Sequence, residues 1–344
     1  MKILILYSEL AGYTIACLDR LMQEPHMQVK LVRWPVNKEA PFEFDFGEGL
    51  EVFDRSTLSQ AELDQIVKDF EPNGIFVSGW IDKGYLKALA YKPAATPVIC
   101  GLDNQWRGDL RQRIGTLLSP WLVRKHFDYI WGAGPRQADY AAKLGYDSDH
   151  IRQGYYSADV PRFSTVQAPL ENEPRTLLYV GRIMEHKGIG ELIEAFCAQD
   201  EQLGWQLKLV GKADGSVAIP DDPRIIHQDF VQPEELPSLM AEATAFILPS
   251  REEPWGVALH EAAAVGLPLI ASNACGSGDA FVEPERNGLI FRAKDRESLN
   301  QILQKLFSLD TPTLKAWGQH SRKLAQKITP ETWTHTLLEM IEKR

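Results

Sequence analysis

Residues 246–272 read FILPSREEPWGVALHEAAAVGLPLIAS, two short apolar runs with a helical pattern between them. The run Phe246-Ile247-Leu248 stops at Pro249-Ser250 and has the length and unbroken apolar character of a strand buried on both faces. From about Gly256 to Val265 the spacing predicts a helix, which Gly266 ends through a left-handed exit and Pro268 keeps from resuming. Leu269-Ile270-Ala271 supplies the next strand. Strand, helix and strand make one unit of an α/β sheet.

The turn into that helix carries the chemistry. Glu252 and Glu253 stand before it and Glu261 stands inside it. The free N–H groups of Gly256, Val257 and Ala258, at the positive end of the helix dipole, suit a phosphate or diphosphate. Gly256 has no side chain to hold an anion away. Glu261 lies about 7–8 Å further along the axis. A diphosphate at the tip then has a carboxylate on either side, each able to accept from sugar hydroxyls. This fits a nucleotide-diphosphate sugar, with Glu261 towards the ribose and Glu253 towards the transferred hexose. Taken singly, each Glu also reads as an acid placed near a helix N-terminus for dipole reasons alone.

Glu253-Pro-Trp-Gly-Val-Ala-Leu-His-Glu261 resembles the E-x7-E element of glycosyltransferase family 4, and Ala262-Ala-Ala-Val-Gly-Leu-Pro268 is similar to that family's usual continuation. The resemblance, to sugar transferases of bacterial type, extends with varying strength over the whole chain. It implies an α/β protein of the GT-B fold, two Rossmann-like domains facing a central cleft. It also implies a retaining reaction, in which the acceptor attacks from the face that the diphosphate leaves.

Upstream, Arg175-Thr-Leu-Leu-Tyr-Val180 runs directly into Gly181-Arg182-Ile-Met-Glu-His-Lys187-Gly188 and a helix over Ile189–Ala198. Two cations and two glycines at a strand-to-helix turn make a second anion site. By the resemblance, Arg182 and Lys187 neutralise the departing diphosphate and form the catalytic set with Glu253. The donor would also meet Gly181, Trp255, Gly256, Val257, Ala258 and Glu261, with Phe230 and Val231 lining the base at the end of strand 225–230. Such chemistry is mostly electrostatic and needs no metal and no cofactor beyond the nucleotide sugar; a UDP-sugar is the family's commonest donor.

Nearer the N-terminus, Gly12 follows strand Lys2–Tyr7 where the resembled family has a glycine-rich phosphate turn; an ordinary loop is an equal reading. Ligands of open α/β sheets bind beyond the carboxyl ends of strands. Trp80 and Asp82 follow strand 74–78, and Asp103 and Asn104 follow strand 97–100, so these four are the acceptor-side candidates. Asp103 stands near where relatives carry a histidine, and a helix-capping aspartate is the competing reading. Tyr156-Ser-Ala-Asp159 keeps only the Asp of the family's N-G-[VI]-D.

Residues 106–126 are basic in an acidic chain, with Arg107, Arg111, Arg113, Arg124 and Lys125 against only Asp109 among the carboxylates. Trp106, Leu117, Leu118, Trp121 and Leu122 are interleaved. Two readings stand: a long core helix with a solvated basic face, or a surface for an anionic or lipid-linked acceptor and a peripheral membrane contact.

The expected organisation is an acceptor-side domain over 1–160, a linker over 161–173 bounded by prolines, a nucleotide-sugar domain over 174–328 and a terminal helix over 329–344 crossing back. The 344 residues leave room for two cores, and a net charge of −10 argues against nucleic-acid binding. Cys17, Cys100, Cys197 and Cys275 are widely spaced and read as reduced thiols. No signal peptide or membrane span is legible, so a cytoplasmic protein, or one at the inner membrane face, is expected. The function expected is transfer of a hexose from a nucleotide diphosphate to a saccharide or lipid-linked acceptor hydroxyl, in cell-surface polysaccharide or glycoconjugate synthesis. A non-catalytic sugar-nucleotide-binding subunit, a sugar phosphorylase and a sugar-nucleotide epimerase are the alternatives.

Overall fold

The computed structural model describes residues 1–35, 46–47, 49–171 and 173–343. Among the described residues two sheets form, and every strand pair within them is parallel. The first holds β1 (Lys2–Tyr7), β2 (Gln28–Arg33), β3 (Leu50–Asp54), β4 (Gly74–Val77), β5 (Val98–Leu102), β6 (Tyr129–Gly132) and β7 (Ile151–Gln153), in the order 3-2-1-4-5-6-7. The second holds β8 (Arg175–Val180), β9 (Trp205–Val210), β10 (Ile225–Gln228), β11 (Ala245–Leu248), β12 (Leu269–Ser272) and β13 (Gly288–Phe291), in the order 10-9-8-11-12-13. Both orders run outward in opposite directions from a switch point, between β1 and β4 and between β8 and β11. Loops leaving the carboxyl ends of two such strands diverge and leave a crevice, where open α/β sheets bind ligands.

The apolar runs account for this arrangement. In β1, Leu4 and Leu6 join the core on one face of the sheet, with Leu63 and Val67 of the helix Gln60–Phe70. Ile3, Ile5 and Tyr7 join the core on the other face, with Leu18 and Leu21 of the helix Gly12–Met22 and with Leu337 and Met340 of the helix Pro330–Glu342. A strand buried on both faces has no place for alternating polar residues, and crossover helices supply both covers. Local signals set helix ends: Ser59 and Glu62 form a reciprocal capping box, Glu62 N donating to Ser59 Oγ at 3.3 Å and Ser59 N to Glu62 Oε2 at 2.8 Å.

Two compact units result, one comprising Met1–Ser157 with the terminal helix Pro330–Glu342, the other Ala158–Thr329. Two expectations need correcting. Of the expected linker 161–173, residues 161–171 and 173 fall within the second unit: Phe163, Ala168 and Leu170 are buried, and Arg322 Nη1 and Nη2 donate to Val166 O and Ser164 O, each at 2.9 Å. Residues 106–126 are not a single core helix. Helix Leu110–Leu117, capped by Asp109, gives way after Leu118 to a short helix Ser119–Leu122, and none of Leu110–Leu117 is buried. All four cysteines are free, Cys197 exposed and the others buried. Among the described residues no helix is long and apolar enough to cross a membrane.

Candidate active site at the ends of β8 and β11

β8 and β11 are neighbours in space, and the two turns singled out in the sequence are the loops that leave their carboxyl ends. Glycine sets how close these loops come. Gly188, at φ 72°, closes a short helical turn over Glu185–Lys187, and a Cβ placed there would lie 2.2 Å from Pro249 O. With the backbones so close, Lys187 Nζ donates to Glu253 Oε2 at 2.6 Å, and Ser250 Oγ donates to the same oxygen at 3.1 Å. Both side chains of the pair are mostly buried, 16 % and 12 % exposed. Arg251 then clamps loop to loop: its N–H donates to His186 O at 2.9 Å, Nε to Glu191 Oε1 at 2.6 Å and Nη1 to Glu185 Oε1 at 2.7 Å.

The helix Val257–Val265 begins at Gly256, whose φ of 92° no branched residue adopts without strain, and no side chain caps it. A third loop braces its entrance. Gly276 N donates to Glu253 O at 3.1 Å, Ser277 N to Trp255 O at 3.0 Å and Ser277 Oγ to Gly256 O at 3.0 Å. The result is a rigid turn presenting uncapped helix amides beside an ion pair, an arrangement suited to an anion carrying hydroxyl groups.

One turn further along, burial pushes the Glu261 carboxyl up to about 7, with the Asp159 carboxylate adding to the effect. Asp159 is raised by its own burial and caps the helix Val160–Phe163, accepting from Arg162 N at 3.2 Å. His260 is fixed as one tautomer. Ala158 N donates to Nδ1 at 3.1 Å, so the ring proton sits on Nε2, which donates to Ala325 O at 3.0 Å. Burial depresses its basicity to about 4, and the neutral ring stacks on Phe281 with centroids 4.0 Å apart. His186 is also held below the usual histidine range, first by burial and then by Lys187 and Arg182.

Gly181, Arg182, Lys187, Glu253, Gly256, Val257, Ala258 and Glu261 thus occupy adjoining turns and one helix of the second unit. Tyr179 Oη donates to Arg182 O at 2.7 Å, holding the first turn. Trp255 differs from the expectation. The residue is 2 % exposed and edge-on to Phe281 at 6.0 Å, and its Nε1 is buried with no hydrogen-bond partner among the described residues. Phe230 and Val231 follow β10, the edge strand that β9 separates from β8. Arg251 and Ser250 were not singled out by the sequence; their only signal is adjacency to the Glu252-Glu253 pair.

In the first unit, Gly12 opens the helix Gly12–Met22. Asp82 is a structural residue rather than a ligand candidate: Oδ1 accepts from Gly84 N at 2.7 Å and Tyr85 N at 3.2 Å, Oδ2 from Trp34 Nε1 at 3.0 Å and Arg55 Nε at 3.2 Å. Those four donors leave its carboxylate no free face for a substrate hydroxyl. Trp80, Asp103 and Asn104 do converge, lining a pocket of ≈ 740 Å³ beyond β4 and β5. Burial raises the Asp103 carboxyl, which accepts from Tyr156 Oη at 3.3 Å and Asn104 Nδ2 at 3.1 Å.

Residues 162–324 match the family model described as glycosyl transferases group 1. Among curated proteins, the chain is 26 % identical over 242 residues to the glycogen synthase of Mycobacterium tuberculosis, covering 67 % of this chain and 56 % of that protein. It is 25 % identical over 185 residues to the lipopolysaccharide glucosyltransferase WaaG of Escherichia coli K12, covering 49 % of this chain and 48 % of the relative. The chain therefore spans about half the length of the curated relatives it matches. Among solved structures, Anabaena Alr3699/HepE in complex with UDP superposes with a TM-score of 0.72 at 18 % identity over 100 % of both chains. WaaG superposes with a TM-score of 0.66 at 16 % identity, again over 100 % of both chains. Likeness at such identity establishes the fold, GT-B with two Rossmann-like units.

Proposed function

Because residues 162–324 belong to the glycosyl transferases group 1, we propose that the chain transfers a hexose from a nucleoside diphosphate to an acceptor hydroxyl with retention of configuration. The observation that carries this reading is the Lys187–Glu253 pair held at 2.6 Å at the switch point of the second sheet, beside the uncapped start of helix Val257–Val265. The diphosphate lies at that helix start with Arg182 and Lys187, which stabilise the charge that develops as it leaves. Glu253 meets the hexose hydroxyls and Glu261 the ribose. Asp103 and Asn104, with Trp80, are on the acceptor side. UDP is the carrier we favour, in keeping with the UDP and UDP-glucose seen in the Anabaena protein. The acceptor is a saccharide or a lipid-linked saccharide of cell-surface polysaccharide synthesis, reached at the inner face of the membrane through the basic residues 106–126. The two cations perform the charge neutralisation, and the reading needs no metal.

The test is turnover of UDP-glucose by the purified chain and its variants. Arg182→Ala and Lys187→Ala each lower kcat by about 10²–10³, the usual cost of removing a preorganised donor. Near-normal turnover in both variants overturns the diphosphate assignment. A wild-type chain that binds UDP-glucose without transferring or hydrolysing it would instead be a binding subunit.

A further inference from the structure

The helix Leu110–Leu117 raises a question that the folding of the first unit does not answer. None of its residues is buried, yet Leu110 is 75 % exposed, Ile114 49 % and Leu117 75 %, and Trp121 and Leu122 continue the apolar face at 64 % and 51 %. A monomeric surface seldom leaves so many large apolar side chains together in water. The helix also forms one wall of the ≈ 740 Å³ pocket, which it lines through Arg111, Gln112, Ile114 and Gly115, with Leu118 just past its end. Leu86, Leu102, Val123 and Leu144 make the apolar part of the opposite wall, with Trp80 and Tyr140, and polar residues including Asp103 and Asn104 line it as well. The wall is built rather than loose: Gln112 Oε1 accepts from Arg107 N at 2.6 Å and Gly108 N at 3.1 Å, and its Nε2 donates to Gln105 O at 2.8 Å.

Gly115 is the informative residue. Glycine is the least favourable residue of a helix interior after proline, and it is used where something must come close. Here a Cβ would meet nothing within 4 Å. No neighbour in the fold requires the glycine; what its missing side chain leaves open is the pocket.

The pocket is cationic as well as apolar. Lys83 and Arg111 line the pocket, with Arg113, Arg124 and Lys125 on the same segment, and none of these five is in a salt bridge among the described residues, although salt bridges are plentiful elsewhere in this acidic chain. The two carboxylates of the lining are already engaged, Asp109 by Gln112 N at 2.7 Å and Asp103 by Asn104 and Tyr156.

We propose that this pocket holds the aliphatic chain of an anionic lipid, seated against Gly115 between the helix Leu110–Leu117 and the ends of β4 and β5, with its anionic headgroup on Arg111. The exposed Leu110, Leu117 and Trp121 face the lipid surface from which that chain is drawn. The proposal names the acceptor class of the transferase reading only if that reading holds; lipid binding itself does not depend on it.

The test uses octyl phosphate below its micellar concentration, titrated into the whole chain and followed by tryptophan fluorescence, since Trp80 lines the pocket. Saturable binding is expected, at least about tenfold tighter than octyl glucoside or inorganic phosphate. Gly115→Phe fills the pocket, and binding is lost while Tm stays level or rises. Arg111→Glu weakens octyl phosphate about tenfold and leaves octyl glucoside unchanged. Should Gly115→Phe lower Tm, Leu122→Asp, at an exposed lining position, replaces it with the same expected loss. Wild-type affinity in the pocket variants, or equal affinity for octyl glucoside and octyl phosphate, overturns the proposal. UDP titrated into the same variants separates the two readings: intact UDP binding with lost octyl phosphate binding is expected. If UDP-glucose is never turned over but octyl phosphate still binds, the transferase reading fails and the pocket stands.

Discussion

Glu261 changes charge near neutral pH because burial, and then the Asp159 carboxylate, push its carboxyl up to about 7. In the unfolded chain it titrates near the ordinary glutamate value of about 4.3. A carboxyl raised by folding binds its proton more tightly in the native state. The stability this contributes is whole below the unfolded value and is lost as pH rises through about 7. A nucleotide whose ribose hydroxyls donate to the carboxylate has the opposite sign, because it selects the deprotonated form. UDP affinity is therefore expected to rise with pH through about 7 more steeply in the wild type than in Glu261→Gln, where only the terminal phosphate of UDP, with a second pKa of about 6, still titrates. The stability of that variant should not show the wild-type decline. Calorimetric titration of UDP and thermal unfolding, each at about pH 6 and about pH 8, check both signs; equal pH profiles in wild type and variant would sink the assignment.

Among elements, the loops after β8 and β11 act as one piece because Gly188 lets them touch. Gly188→Ala puts a Cβ against Pro249 O at 2.2 Å from a backbone with φ 72°, and neither carbonyl nor turn can yield cheaply. A cost of roughly 1–3 kcal/mol is expected, with weaker UDP binding as Lys187 and Glu253 lose register. Gly190 lies only two residues on, inside the helix Ile189–Cys197, where a Cβ meets nothing within 4 Å. Gly190→Ala is therefore expected to raise stability by about 0.5–1 kcal/mol. Denaturant unfolding of both variants tests the contrast, and similar destabilisation by the two would show that the close approach is not what holds the loops.

On the scale of the whole chain, the last helix completes the first unit. Trp333 is 3 % exposed, its ring 5.0 Å from that of Trp131, and its Nε1 donates to Tyr155 O at 2.9 Å. Glu331 pairs with Arg20, and Ile341 lies so close over Gly74 that a Cβ there would meet Ile341 Cδ1 at 2.5 Å. Without this helix the face of the first sheet bearing Ile5, Phe76 and Trp131 would be open to water. Trp333→Ala is expected to cost about 3–5 kcal/mol, felt by Met1–Ser157 and not by Ala158–Thr329. Hydrogen exchange resolved by segment checks this. Loss of protection spread equally over both units would mean that they do not unfold independently.

Read alone, the sequence determined what depends on near neighbours along the chain. Apolar runs such as Lys2–Tyr7 and Phe246–Leu248 marked buried parallel strands, Gly266 and Pro268 marked a helix end, and Gly181–Gly188 and Glu253–Glu261 marked turns able to hold an anion. What each carboxylate and aromatic ring touches was decided only by the tertiary structure. Lys187 meets Glu253, 66 residues away, because β8 and β11 are neighbours and Gly188 permits contact, which no local period encodes. Asp82 is taken up by Trp34 and Arg55 from other segments, so its place after a strand end did not reveal its role. Trp255 turned inward onto Phe281, and the apolar residues of Leu110–Leu117 turned outward. Amphipathic spacing shows that a helix has an apolar side; which side meets a neighbour depends on where the sheets leave room, and that is a property of the whole packed chain.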